Sequence, residues 1–126
     1  MIKTYIDSGI LIAAARGNGK LAQAALDVLR DTNAREFVSS DYVKLEVIPK
    51  PTYFGRDVEV AFYNAFFSKV SECLSFDVVH LRAAFEEACK SGLQAYGAIH
   101  VIIAAISGCD ELITTEKPTR RFTGLL

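Results

Sequence analysis

Three carboxylates, far apart along the chain, carry the chemistry this sequence can offer: Asp7, Glu46 and Glu116. Asp7 closes the run Tyr5-Ile6-Asp7, Glu46 lies in Tyr42-Val43-Lys44-Leu45-Glu46, and Glu116 follows Leu112-Ile113-Thr114-Thr115. Acids gathered into one cleft repel one another unless a cation neutralises them. Mg²⁺ or Mn²⁺ suits that task, because hard ions prefer oxygen ligands, and Mg²⁺ accepts one or two carboxylates while leaving room for water and phosphate oxygens. Such an ion polarises a phosphate, turns a bound water into a nucleophile and offsets charge on the leaving oxygen. The expected chemistry is phosphodiester hydrolysis. The competing reading is that these are unconnected, solvated surface acids.

For the acids to meet, the chain must hold them at one edge of a sheet. Residues 1–6 contain Ile2, Thr4, Tyr5 and Ile6, which suit a strand that Asp7 ends. Two helices follow, one over residues 8–16 and one carrying Leu21, Ala25, Leu26 and Leu29, with Gly17-Asn18-Gly19 between them. A second strand is expected over 36–40. Ser39, Ser40 or Asp41 then caps a helix bearing Glu46, which Pro49 and Pro51 stop. Residues 57–70 predict a helix with an aromatic stripe, and 74–76 a weak third strand. Residues 77–91 predict a helix with Leu81, Ala84, Phe85 and Ala88 inward, closed by Gly92. A nearly wholly apolar helix spans 96–106, a central strand 111–115, and 122–126 adds a short edge strand. Strands alternating with helices imply an α/β fold: a three-layer sandwich around a mainly parallel sheet of four to five strands. Asp7, Glu46 and Glu116 then lie at its carboxyl edge, where open α/β sheets bind ligands. Asp110 and Glu111 fall at the opposite edge.

Composition narrows the classes. The chain has 126 residues, 51% hydrophobic and 23% charged, which fits one domain over 1–126 and excludes disorder. A chain of this size needs neither disulfides nor a metal merely to fold, so a metal site would serve function. Fourteen Lys and Arg against fifteen Asp and Glu leave a net charge of −1, so nucleic acid must be held locally rather than by an overall positive field. Cys73, Cys89 and Cys109 are odd in number and too widely spaced for a zinc knuckle, which points to a reducing compartment. The apolar stretch 98–106 is too short to span a bilayer. A cytoplasmic protein with no membrane partner is expected.

Tyr5-Ile6-Asp7-Ser8-Gly9-Ile10-Leu11-Ile12 resembles the opening of PIN domains, small metal-dependent nucleases that often serve as VapC-type toxin ribonucleases of toxin–antitoxin pairs. Ser39-Ser40-Asp41-Tyr42-Val43-Lys44-Leu45-Glu46-Val47 matches the second motif, and Ala98-Ile99-His100-Val101 leading to Leu112-Ile113-Thr114-Thr115-Glu116 matches the remainder. The likeness spans nearly the whole chain. It implies a divalent-metal-dependent endoribonuclease, with Asp7, Glu46 and Glu116 as catalytic metal ligands and Mg²⁺ or Mn²⁺ as cofactor. It also implies RNA as substrate, a small antitoxin as partner and a homodimer. The chain departs from the family at Gly97, which holds the place of the third acid; Tyr96, Gln94 and His100 supply no anionic oxygen there. Weakened activity follows, and the alternative is a degenerate PIN-like module that binds RNA or protein without cutting.

Smaller signals surround these acids. Ser8 is either a contact for a metal-bound water or phosphate or a helix cap; Thr115, like Thr114, either orients Glu116 or satisfies strand geometry. Lys117, Arg120 and Arg121 form the densest basic cluster and are candidates for binding RNA phosphates, against a solvated loop. Arg16 and Lys20 have less support. His100 reads as a hydrogen-bonded core residue ahead of a catalytic base, and His80 carries no signal. Tyr53, Phe54, Phe62, Tyr63, Phe66 and Phe67 suggest a docking surface, against ordinary core. A phosphoacceptor receiver is disfavoured because Ser8, not an acid, follows Asp7. Gly17-Asn18-Gly19-Lys20 lacks the leading Gly of a nucleotide-binding loop.

Overall fold

The computed structural model describes residues 1–75 and 77–115, together with the backbone of 120–121. Four strands pair in parallel: β1 (Ile2–Ile6), β2 (Arg35–Ser40), β3 (Glu72–Leu74) and β4 (Glu111–Ile113). A fifth, β5 (Arg120–Arg121), runs antiparallel to β4, giving the order β3-β2-β1-β4-β5. Between β1 and β2 come α1 (Ser8–Arg16) and α2 (Gly19–Arg30). Helices α3 (Asp41–Val47), α4 (Pro49–Tyr53) and α5 (Asp57–Lys69) lead to β3, and α6 (Val78–Ser91) and α7 (Ala95–Ile106) lead to β4. Thr4, Tyr5 and Ile6 are all fully buried. Successive strand residues face opposite sides of a sheet, so both faces of β1 are covered by helices. This is the expected α/β sandwich.

The strand order locates the site. From β1 the chain winds outward to β2 and β3, then α6 and α7 carry it back across to the far side of β1 as β4. Such a reversal opens a crevice beyond the carboxyl ends of the two strands that flank it. Asp7 leaves β1 there, its N–H donating to the carbonyl of Ile113 at 3.2 Å. Helix α7 is apolar around its circumference and is buried from Ala98 to Ala104, which fixes it against the sheet beside that crevice.

Several boundaries differ from the sequence reading. Pro49 and Pro51 do end α3, but rather than a loop they start the short helix α4, with Pro49 in its first turn, where a missing N–H costs nothing. The third strand lies two residues earlier than expected, and Phe76 is outside the described residues. β4 stops at Ile113, with β1 rather than β4 at the centre of the sheet. The edge strand expected over 122–126 lies outside the described residues, although β5 adjoins it. Gly92 closes α6 in the left-handed conformation, its N–H on the carbonyl of Ala88. The inward face of α6 needs correction: Leu81 is 53% and Phe85 71% exposed, while His80 and Ala84 are buried. Small residues Ala84 and Ala88 let α6 approach its neighbour closely, and that rotation turns the larger side chains outward.

The opposite, amino edge is held by charge. Glu111 is 1% exposed and accepts from Arg35 Nε at 3.1 Å and from Thr4 Oγ1 at 3.4 Å, while Arg35 also pairs with Asp31. Asp110 accepts from the Lys3 backbone N–H at 2.8 Å. Both acids fall on the edge away from Asp7, as the sequence places them.

Candidate active site

Each site residue owes its position to a local rule. Ser40 ends β2 and caps α3, its Oγ accepting from the N–H of Val43 at 3.3 Å; such a cap stabilises by roughly 1 kcal/mol. With the helix start fixed, Val43 and Val47 share the buried face, and Tyr42 and Glu46, also four residues apart, share the face towards the crevice. In α7 the same spacing aligns Tyr96 with His100.

These elements bring Asp7 and Glu46 to one imidazole. His100 Nε2 is 2.7 Å from Glu46 Oε1 and 3.7 Å from Asp7 Oδ1. Its Nδ1 is hydrogen-bonded to the Tyr5 hydroxyl at 2.9 Å, and that hydroxyl to Ser40 Oγ at 2.8 Å. His100 is 2% exposed, so the ring is locked on both sides. Burial, which outweighs the Ser40 hydrogen bond, together with the charges of Asp7 and Glu46, holds the Tyr5 phenol far above its ordinary range, and it stays neutral. Burial and Glu46 push Tyr42 up as well. The expectation that His100 is a hydrogen-bonded core residue holds, yet its partners are the site carboxylates themselves. A histidine in an otherwise apolar helix must find polar partners when buried; that signal was present, but not which acids would answer it.

Asp7 is held by two further hydroxyls. Ser8 Oγ donates to Oδ1 at 3.1 Å and Thr114 Oγ1 to Oδ2 at 2.9 Å. Ser8 makes no side-chain cap; Asp7 occupies the N-cap position of α1, with its carbonyl accepting from Ile10 N–H. Thr114 thus orients Asp7. Thr115 is exposed and packs on α1: a Cβ at Gly9 would lie 2.5 Å from its Oγ1. Glycine at position 9 therefore lets the segment after β4 lie against the first turn of α1.

Glu116 and Lys117 lie outside the described residues. Of the basic pair in β5 only the backbone is described: Arg120 is in register with Leu112 and Arg121 with Glu111. Arg16 is half exposed and pairs with Glu59 at 3.8 Å; Lys20 is exposed. Gly97 lies in the first turn of α7, and a Cβ there would meet only Leu93 Cδ2, at 4.0 Å. Among the described residues no group of three or more His, Cys, Asp or Glu is arranged to hold a metal ion. Two carboxylates do meet at the crevice, and their hard oxygens suit Mg²⁺ or Mn²⁺. The aromatic cluster splits: Tyr53 and Phe54 are exposed, Tyr63 is buried, and Phe62 and Phe66 line a groove of about 420 Å³ with Leu26, Leu29 and Phe37 that includes neither Asp7 nor Glu46.

The architecture is that of the PIN-domain, VapC-type toxins. VapC20 of Mycobacterium tuberculosis, a toxin that cleaves the sarcin–ricin loop, superposes with a TM-score of 0.70 at 13% identity, over 90% of this chain and 91% of that one. VapBC2 of Rickettsia felis, solved bound to a DNA fragment from their promoter, gives a TM-score of 0.65 at 14% identity, over 91% of this chain and 88% of that one. No family model and no curated protein matches the sequence. Among the described residues no single helix is long and apolar enough to cross a membrane.

Proposed function

We propose that the chain is a divalent-metal-dependent endoribonuclease of the PIN, VapC type, acting on RNA as the toxin of a toxin–antitoxin pair. One observation carries this reading: Asp7 and Glu46, remote in sequence, face the same imidazole nitrogen at the point where the winding of the sheet reverses. Asp7 and Glu46 would hold Mg²⁺ or Mn²⁺ together with Glu116. When bound, the ion supplies polarisation of the phosphodiester and activation of water. The chain's own part is to fix the carboxylates. Ser8 and Thr114 aim Asp7; His100, braced by Tyr5 and Ser40, keeps Glu46 turned towards it. Preorganisation of this kind spares the site the cost of ordering its groups during reaction. Lys117, Arg120 and Arg121 remain the candidates for flanking phosphates. Without an acid at 97 the site has one negative ligand fewer than the PIN pattern, so activity is weak.

A VapB-like antitoxin, a homodimeric state and a cytoplasmic location complete the proposal; the neighbour VapBC2 supports the first. A second reading, a degenerate module that binds RNA or protein without cutting, is favoured by Gly97, which offers no carboxylate where the PIN pattern has one. RNA cleavage in Mn²⁺ by the purified chain and by Asp7→Asn separates the two. The nuclease reading expects cleavage that needs the metal and falls at least a hundredfold in the variant. RNA binding without metal-dependent cleavage supports the module.

A further inference from the structure

Beside the carboxylates stands an aromatic ring for which the fold has little use. Tyr96, in the first turn of α7, is 62% exposed, although burying such a side chain is ordinarily favourable. Its ring lies 5.9 Å from that of Tyr42, tilted by 40°, and Tyr42 in turn meets the edge of His100 at 5.5 Å. The two rings thus lead from solvent to the imidazole that joins Asp7 and Glu46. Next to Tyr96 the helix has no side chain at all. Apart from its chain neighbours, a Cβ on Gly97 would find only Leu93 Cδ2, at 4.0 Å, so the helix surface at 97 is open.

We propose that Tyr96, backed by Tyr42, is a stacking ledge for one nucleobase of single-stranded RNA at the margin of the carboxylate site. The substrate class rests on the nuclease reading; the ledge rests on the two rings and the exposure of the outer one. Stacking needs no charge. That matters in a chain whose net charge is −1 and whose candidate site presents two carboxylates to a polyanion. Every base has a π-face, so a ledge of this kind is tolerant of sequence, but the base must be free of a duplex to reach it.

The test is binding of a fluorescein-labelled adenosine RNA hexanucleotide, and of its fully abasic counterpart, measured by anisotropy in EDTA. The wild type, Tyr96→Phe and Tyr96→Ala are compared, with thermal melts as a control because Tyr96 is exposed. The expected result is that Tyr96→Ala weakens binding of the hexanucleotide between about fivefold and a hundredfold, the range one stacked base supplies. Tyr96→Phe stays within about twofold, and the abasic strand binds all three forms equally and weakly. Equal binding of the hexanucleotide by wild type and Tyr96→Ala overturns the ledge, as does equal binding of the two strands by the wild type. The nuclease reading fails separately. Base-dependent binding by a chain that never cuts in Mn²⁺ leaves the ledge standing, whereas metal-dependent cleavage with no dependence on Tyr96 removes the ledge alone.

Discussion

At the scale of single residues, Gly97 carries the sharpest test of the metal site. Position 97 faces open space, lies on the first turn of α7, and is three residues before His100, hence on the same helix face. Replacing glycine by Asp relieves a poor helix former and puts negative charge near a helix N-terminus, so the fold should be unharmed or slightly steadier. Gly97→Asp is expected to raise Mn²⁺ affinity several-fold by calorimetry and to raise RNA cleavage with it. No change in either would place the site elsewhere. The nearness of Asp7 and Glu46 was legible from residue types, because an acid after a strand and an acid one turn into the following helix admit few placements; the missing acid at 97 was legible only through the resemblance to PIN domains. Tyr5 was not. A tyrosine in a strand reads as core, and only the packing of α7 against β1 reveals that its hydroxyl braces an imidazole.

At the scale of elements, the contact between α1 and Thr115 bears on the proposal that Asp7 and Glu116 share an ion. Gly9 faces Thr115, and a methyl group there would press on Thr115 Oγ1. The obstructing atom is an exposed side chain, and alanine is favoured over glycine in a helix by roughly 1 kcal/mol. Gly9→Ala should therefore leave the melting temperature within a few degrees while displacing the residues after β4. Mn²⁺ binding and cleavage are expected to fall at least fivefold; retention of both would show that this contact does not set the site. The sequence marked the order of the elements but not how they turn on their axes. Leu81, Ala84, Phe85 and Ala88 of α6 read as inward together; Ala84 and Ala88 do pack inward, whereas the larger Leu81 and Phe85 are exposed. Helix rotation depends on the shape of the partner surface, which no local pattern encodes.

For the whole molecule, the buried tyrosines couple folding to alkaline pH. Burial raises Tyr5 and Tyr63 well above the ordinary value near 10, and Glu59, accepting from Tyr63 at 2.6 Å, adds to the second. The unfolded chain ionises these phenols at about pH 10 and the folded chain does not. Their contribution is therefore complete below about pH 10 and is lost as pH rises above it. Thermal melts should fall steeply between pH 10 and 12, and more gently for Tyr5→Phe. At neutral pH that variant should cost roughly 1–3 kcal/mol, since Ser40 and His100 each lose a buried partner. An identical alkaline slope in both proteins would show that Tyr5 ionises freely in the native state. The α/β class was readable because alternating strand and helix patterns leave few topologies open; the reversal between β1 and β4, beside which Asp7 and Glu46 meet at His100, emerges only once strand order is known.

The brevity of β3 has a consequence for company. Three residues at the margin of a sheet offer a visiting polypeptide too few backbone groups to extend the ladder. A protein that recognises this flank must grip it by side chains on the surrounding helices, so its affinity will follow shape and apolar fit rather than strand register.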